Sequence, residues 1–550
     1  MKELLQEEEE QIRAAEKKAR KRFNKLCKEG KVIVSGRLPS FQAARKLRGA
    51  LQDKALEVSG YAPVQTSELD KTDNEIAQTD QRPTWWSKIS LLFDLPDKLP
   101  DALTDERLED VTNEPLLSYL MVLSGLAVDK WEDAAENRNK VYEHLIDEVW
   151  QRGWGNPNKK KDRQGAGKHL SKLQFNQLME TIAIAAWLGG DARVASDEKF
   201  KECLTVLRSE DAWEEFKRDG GDDVANLAMN FYLKSSDESR RGFEFTHKSF
   251  GEYLAARALV SLSFDICQLV DRYSDRALET WLESTANGVM TKDMLAYLRD
   301  EFRLHASATK ARKRVRSVQS ELEHLCRLSV AEGLPAHRLN GKNWRELANL
   351  QRNSEITLWA TMNAALRSLN EYGDGKVANV NFQNDPLLMK GFLSRVAFRD
   401  ESGEVAKRCL SHLDCQRVDL FGIDLQGADF SYSLLEEANL AGTQLMRADF
   451  RAANLKRTDF ERANLDGASF IDATFEDTDF TSARGYDLDD VFMGSKGGIV
   501  LNARTLLDVR HLEDIPLNRV HLRSARFDHS FSTEFDDIVD HARAVKKVVD

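Results

Sequence analysis

Cysteine is scarce in this 550-residue chain, with six residues at Cys27, Cys203, Cys267, Cys326, Cys409 and Cys415. They are scattered, with no Cys-x-x-Cys pair and no His/Cys cluster at zinc spacing. That argues against a disulfide framework and against a structural metal, and for free thiols in a reducing compartment. Cys409 and Cys415 are close in sequence but read as packing in a cap rather than as a bond. Long apolar runs are missing too. The longest, residues 115–128, is interrupted and too short to span a bilayer. The opening MKELLQEEEE has no apolar core of the kind a signal peptide needs. No Gly-x-Ser-x-Gly, no His-Glu-x-x-His and no Cys/His pair with an orienting partner is present, so none of these catalytic constellations is expected. Carboxylate pairs such as Asp489-Asp490 and Asp536-Asp537 read as solvated turns. Net charge is −12 with 31 % charged residues, which fits a cytoplasmic protein with no membrane role. The Lys/Arg runs read as helix faces, and nucleic acid is not an expected partner.

What the chain has instead is a period. From Leu420 to Phe480 every fifth residue is Leu or Phe, and the residue two before each is small or β-branched, from Val418 and Ile423 to Ala473 and Thr478. Fixed-period self-similarity signals a solenoid. A period of five fits neither the helix nor the flat strand. It fits a chain that turns a corner every five residues, so that four pentads close one square coil. The Leu/Phe and the small residue then point inward. The positions between, such as Asp429, Glu437, Arg451 and Lys456, point to water. Segments such as Ala-Asp-Phe at 428–430 and Ala-Asn-Leu at 438–440, 453–455 and 463–465 closely resemble the pentapeptide-repeat motif. The resemblance implies a right-handed quadrilateral β-helix over 405–484. Gly485 breaks the period, which partly resumes at Leu507 and Leu512. About one more coil after an insertion, then a C-terminal helix from about 535, is expected over 485–550.

The rest of the chain is mostly helical in pattern, and its length suggests three or four domains. Residues 3–28 read as a charged helix. Val32-Ile33-Val34 reads as a buried strand ending at Arg37, and 41–56 as a second helix. Residues 63–84 read as a polar loop. Residues 101–262 are helical, with Pro115 in the first turn of an apolar helix, helices over 138–152 and 172–188, and a flexible basic loop over 153–168. The stretch 227–250 alternates like strands before helix returns at 249–262. That mixture suits a winged-helix domain. Residues 263–404 read as an all-α linker domain, with the basic run 310–316 on one helix.

Three segments ahead of the solenoid resemble NACHT-type signal-transducing ATPases. Residues 31–37 resemble the strand whose terminal arginine, here Arg37, faces the nucleotide phosphates. Residues 113–120 resemble the segment whose proline, here Pro115, lies against the adenine. Residues 243–256, Phe-Glu-Phe-Thr-His-Lys-Ser-Phe-Gly-Glu-Tyr-Leu-Ala-Ala, resemble the winged-helix end whose histidine, here His247, reaches bound ADP. The chemistry suits these types: arginine gives planar charge-assisted bonds to phosphate, and a histidine on a mobile domain makes nucleotide state a latch. Each residue also has a plainer role open to it: Arg37 in a local ion pair, Pro115 as a helix-start proline, His247 as a core histidine. The phosphate loop Gly-x-x-x-x-Gly-Lys-Ser/Thr and the acidic pair for magnesium are not found. The nearest imitation, at 164–169, has Asp162 and His169 at two required positions. Residues 1–100 are therefore expected to be a C-terminal remnant of such an NTPase domain.

The resemblance implies a non-enzymatic sensing chain, like the C-terminal half of bacterial receptors of this class, several of which act in defence against phage. The solenoid would bind a protein ligand, and ADP or ATP would be held only with a partner chain carrying a P-loop. A split ATPase completed in trans is the neighbouring alternative. Another is a DNA-mimicking solenoid that binds a topoisomerase. Between Asp419 and Phe480 there are thirteen Asp/Glu and five Lys/Arg. Length argues against mimicry: the coil spans roughly 15–16 Å at strand spacing, about nine phosphates at about 1.7 Å per charge.

Overall fold

A computed structural model describes residues 80, 82–93, 95–126, 131–152, 170–189, 195–218, 233–235, 242–245, 247–270, 273–339, 343–373, 377–380, 385–397, 400–485, 499–501 and 520–522. The helices expected at 3–28 and 41–56, the strand before Arg37, the basic loop 153–168 and the helix from 535 lie outside the described residues. The chain divides into two units, Met1–Ile89 and Ser90–Asp550. In the first, the described residues open helix α1 (Arg82–Phe93). The Asp80 carboxylate accepts the Arg82 backbone N–H at 2.9 Å and pairs with its guanidinium at 2.7 Å.

The second unit begins with a helical body. Pro115 takes the first position of helix α2 (Pro115–Leu123) after an extended Glu114, where its missing N–H costs nothing. Helix α3 is Asn139–Arg152. Helix α4, Lys172–Trp187, opens on a capping box between Ser171 and Gln174. Helices α5 (Lys248–Val270), α6 (Lys292–Ser307), α7 (Thr309–Glu332) and α8 (Trp344–Glu371) follow. Helix α5 packs on α4 and α6, and α8 packs on α6 and α7. Trp281 and Trp359 are buried in this core. Helix α5 runs without a break through residue 262, so the junction at 262/263 lies inside one helix. Alternation over 227–250 yields two short strands. The antiparallel sheet has the order β1 (Ala195–Ser196), β3 (Gly242–Phe245), β2 (Leu233–Ser235).

The solenoid stacks on this body. Parallel bridges join residues twenty apart, from Asp414↔Leu434 to Asn464↔Arg484. Twenty residues per coil means four pentads per turn, hence four sides. Leu420, Leu425, Phe430 and Leu435 begin the buried columns, and Ala428, Ser433 and Ala438 fill the space beside them. Ile423, grouped with these small inward residues, stays partly exposed. Phe430, Phe450 and Phe470 share a column, with ring centroids 5.4 and 5.2 Å apart and planes within 5°. Their spacing is set by the strand separation of roughly 4.8 Å, which places aromatic faces in van der Waals contact.

Each corner is a four-residue turn. The Ala428 N–H donates to the Leu425 carbonyl at 3.0 Å. Its third residue, Gly427, has φ +69°, and every fifth residue from His412 to Ser482 is likewise left-handed. Gly, Arg, Asp, Glu, Ala, Ser, Tyr and His occupy these corners, and no β-branched residue does, as steric strain in that region requires. The Asp/Asn of each motif explains itself two residues later. Its Oδ1 accepts the backbone N–H on the far side of the face centre, as from Phe421 to Asp419 at 2.9 Å and from Arg451 to Asp449 at 3.0 Å. This local bond satisfies an N–H that the coil ladder leaves over. Thr443, Thr458 and Thr478 donate to main-chain carbonyls inside the coil, so their burial leaves no orphaned hydroxyl.

The body supplies the lid that the first coil needs. In later coils the Asn439 N–H bonds the Val418 carbonyl one turn earlier. In the first coil the matching N–H groups of Asp414, Asp419 and Asp429 bond the carbonyls of Ala378, Pro386 and Lys407. Cys409 and Cys415 are buried free thiols in this cap, and Cys415 Sγ lies 3.6 Å from Met389 Sδ. At the far end Gly485, φ +76°, stands where a Leu or Phe would be. A Cβ there would come within 2.6 Å of the Asp466 backbone, so the period ends on a glycine. The stack continues all the same: β4 (Thr478–Asp479), β5 (Ile499–Leu501) and β6 (Val520–Leu522) pair in parallel, twenty-one residues apart.

Candidate functional site

Two places carry polar chemistry outward: the solenoid faces and the contact around His247. On the solenoid, the face centred on Leu435 and Leu455 is zipped by ion pairs between coils. Arg417 meets Glu437 at 2.7 Å, Arg457 meets Glu437 at 2.8 Å, and Lys456 meets Glu476 at 2.7 Å. Neighbouring cations hold the Glu437 and Glu476 carboxyls below their usual range, each chiefly through its hydrogen bond, to Arg417 and to Lys456 respectively. Arg451 pairs within its own coil, with Asp449 at 2.7 Å. Arg417, Arg451, Lys456 and Arg457 thus neutralise carboxylates of their own surface. The face centred on Leu420, Leu440 and Phe460 is acidic, with Asp419, Asp459, Glu461 and Asp479 along it. Phe421, Tyr432 and Ile471 are exposed hydrophobic side chains on the coils. Asp429, expected to face water, is only partly exposed: its Oδ2 accepts from Arg367 Nη1 at 2.6 Å, because α8 covers that side.

That contact belongs to a row. Trp359, Asn363 and Arg367 are four residues apart on α8 and therefore share one helix face. Trp359 Nε1 donates to the Cys409 carbonyl at 2.9 Å, Asn363 Nδ2 to the Ser411 carbonyl at 3.1 Å, and Arg367 reaches Asp429. The sequence reading of α8 as a linker helix missed this face. The signal was there in polar residues at helical spacing within an otherwise apolar stretch.

His247 lies just ahead of α5 and Pro115 opens α2, and the fold brings these two segments together. His247 Nε2 is 3.2 Å from Glu114 Oε2, and Nδ1 is 2.6 Å from Ser249 Oγ. The hydrogen bond from His247 holds the Glu114 carboxyl below its usual range, against the opposing pull of partial burial. Behind the contact, Tyr142 stacks on Tyr253 at 5.2 Å, and burial pushes its phenol up to about 12. His247 is partly exposed and is not a core residue, whereas Phe245, Phe250, Tyr253 and Leu254 are buried. Arg37 lies outside the described residues. Among the described residues no group of three or more His, Cys, Asp or Glu side chains is placed to hold a metal ion. No helix among them is long and apolar enough to cross a membrane.

The model for pentapeptide repeats matches residues 414–451 and 443–481, in eight copies. Residues 414–481 form a pentapeptide-repeat domain. Among solved structures, the chain is similar to a pentapeptide repeat protein (Rfr23) from the cyanobacterium Cyanothece 51142, at 31 % identity over 12 % of this chain and 46 % of that one, TM-score 0.12. It is also similar to a pentapeptide repeat protein from the Arabidopsis thaliana thylakoid lumen, at 28 % identity over 15 % of this chain and 66 % of that one, TM-score 0.11. The chain thus spans less than two thirds of either relative. No curated protein matches. The pentapeptide-repeat domain follows a largely helical region, and coils of this kind offer flat, rigid faces whose side chains are fixed in register.

Proposed function

We propose that this chain is a non-enzymatic sensing and regulatory protein of the cytoplasm. The pentapeptide-repeat domain binds a protein ligand, and the helical body relays between that domain and a nucleotide-dependent contact at His247. The observation that carries the reading is the junction. Backbone ladders and the Trp359, Asn363 and Arg367 row make the first coil and α8 one piece, so a load on the solenoid reaches the helical core directly. The chain then stands as the C-terminal part of a NACHT-type receptor. The pairing of Glu114, next to Pro115, with His247 supports this, since two of the three resembling segments meet. A histidine that bonds either a carboxylate or a phosphate is a two-position latch. Arg37, Pro115 and His247 would contribute to an ADP or ATP site completed by a partner chain carrying the P-loop.

Calorimetric titration of ADP and ATP, with magnesium, into the whole chain tests the reading. The chain alone should show neither saturable binding nor hydrolysis. Addition of a P-loop partner should create a site that His247→Ala weakens at least about tenfold, or 1.4 kcal/mol. ATP turnover by the chain alone would overturn the non-enzymatic assignment. Equal nucleotide affinity in both forms with the partner would remove His247 from the site.

A further inference from the structure

A second polar centre lies inside the helical body, in a cleft of about 550 Å³ walled by α3, α4, α5, α6 and α7. That volume is within the roughly 300–1,000 Å³ of small-molecule sites. We propose that this cleft binds a small organic cation, an ammonium or guanidinium compound of diamine size, against the buried carboxylates of Glu180 and Glu301. The inference stands apart from the nucleotide reading and shares no residue with it.

Charge is the first argument. Glu180 on α4 and Glu301 on α6 are 8 % and 7 % exposed. Arg257 of α5 pairs with Glu180, its Nε 2.8 Å from Oε1, and its charge also acts on Glu301. Glu301 accepts from Asn139 Nδ2 at 2.9 Å, and His305 Nε2 is 3.9 Å away. Glu143 and Asp265 also line the cleft, against one further arginine, Arg314. Carboxylates thus outnumber guanidinium groups, in a place where an uncompensated charge is expensive. Burial raises the Glu180 carboxyl to about 7 and raises that of Glu301, in spite of the nearby Arg257. Strongly desolvated acids with a charged partner in a cleft are candidates for a binding site.

An orphaned acceptor is the second argument, and it is independent of charge. Asn176, one turn before Glu180 on the same face of α4, is 6 % exposed and lines the cleft. Its side-chain carbonyl has no hydrogen-bond partner. A buried acceptor left in that state costs about 1–3 kcal/mol. One ligand relieves both defects: a positive group that carries N–H donors. An anion would relieve neither.

The third wall fits the rest of such a molecule. Phe264 of α5 lies 5.5 Å from the His305 ring, and the Arg314 guanidinium sits 5.3 Å from the Phe264 centroid. Arg314 already occupies a face of that ring, while Leu262 and Leu304 give apolar lining for an aliphatic spacer.

The test is calorimetry on the whole chain with putrescine, agmatine and spermidine, with butanediol and succinate as controls. Saturable one-to-one binding of at least one cation is expected, and none of the controls. Asn176→Leu fills the same volume without the orphaned carbonyl. It should raise the melting temperature of the free chain and weaken the cation at least about tenfold. Glu301→Gln should weaken it similarly. The proposal is overturned if none of the three cations binds, if succinate binds more tightly than they do, or if Asn176→Leu binds them as the parent does.

Discussion

At the scale of single residues, the solenoid is governed by backbone angle as much as by packing. The inward Leu, Phe and Ala were legible in the sequence because apolar burial repeats with the coil. The corner residue was not, because its requirement is steric and negative: any residue without a branched Cβ is allowed, and a mixture of Gly, Arg, Asp and Tyr shows no pattern. Position 467 separates the two effects. A Cβ at Gly467 would meet the Arg447 side chain at 3.5 Å, an ordinary contact, so a substitution there is strained through its φ of +68°. Gly467→Asn should cost less than about 1–2 kcal/mol, the ordinary penalty of a left-handed L-residue, and Gly467→Val clearly more. Denaturant midpoints of the two variants measure the difference. Equal midpoints would mean that the corner tolerates branching and that composition there is accidental.

At the scale of elements, the sequence located helices by period and caps but could not say what their polar faces touch. Pro115 marked the start of α2, and Lys172–Trp187 falls within the expected 172–188 because a Ser-x-x-Gln box and Gly189 bound it. The buried Glu180–Arg257–Glu301 group escaped notice, since a charged residue on a helix reads as solvent-facing until another helix covers it. The α8 face was hidden for the same reason. Its Trp359 offers a clean test. The indole is buried and lies tilted against Phe392 with ring centroids 4.8 Å apart, while its N–H serves the Cys409 carbonyl. Trp359→Phe keeps an aromatic ring and leaves a buried carbonyl without its donor. A loss of about 1–3 kcal/mol in unfolding free energy is expected. An unchanged value would show that the junction takes nothing from this bond.

At the scale of the whole molecule, the question is whether the coil is an appendage or a continuation of the body. A solenoid is stabilised by contacts between neighbouring coils, so damage spreads along it from the weakest point. Here the two ends are unequal. The first coil is clamped by the carbonyls of Ala378, Pro386 and Lys407 and by the α8 row, whereas the register changes from twenty residues to twenty-one after Thr478. Unfolding should therefore begin distally. Ala463 and Ala428 are both buried small residues facing the interior, and a Trp at either overfills the coil by far more than the few methylenes that cost about 1–3 kcal/mol. Their consequences should differ. Ala463→Trp should abolish hydrogen-exchange protection beyond about residue 440 and leave residues 410–435 protected on their clamp. Ala428→Trp strikes the clamped coil itself, and should lose protection along the entire solenoid and loosen α8 with it. If both variants lose the whole solenoid while α8 stays fully protected, the coil folds as a separate unit, and the mechanical link on which the relay depends is gone.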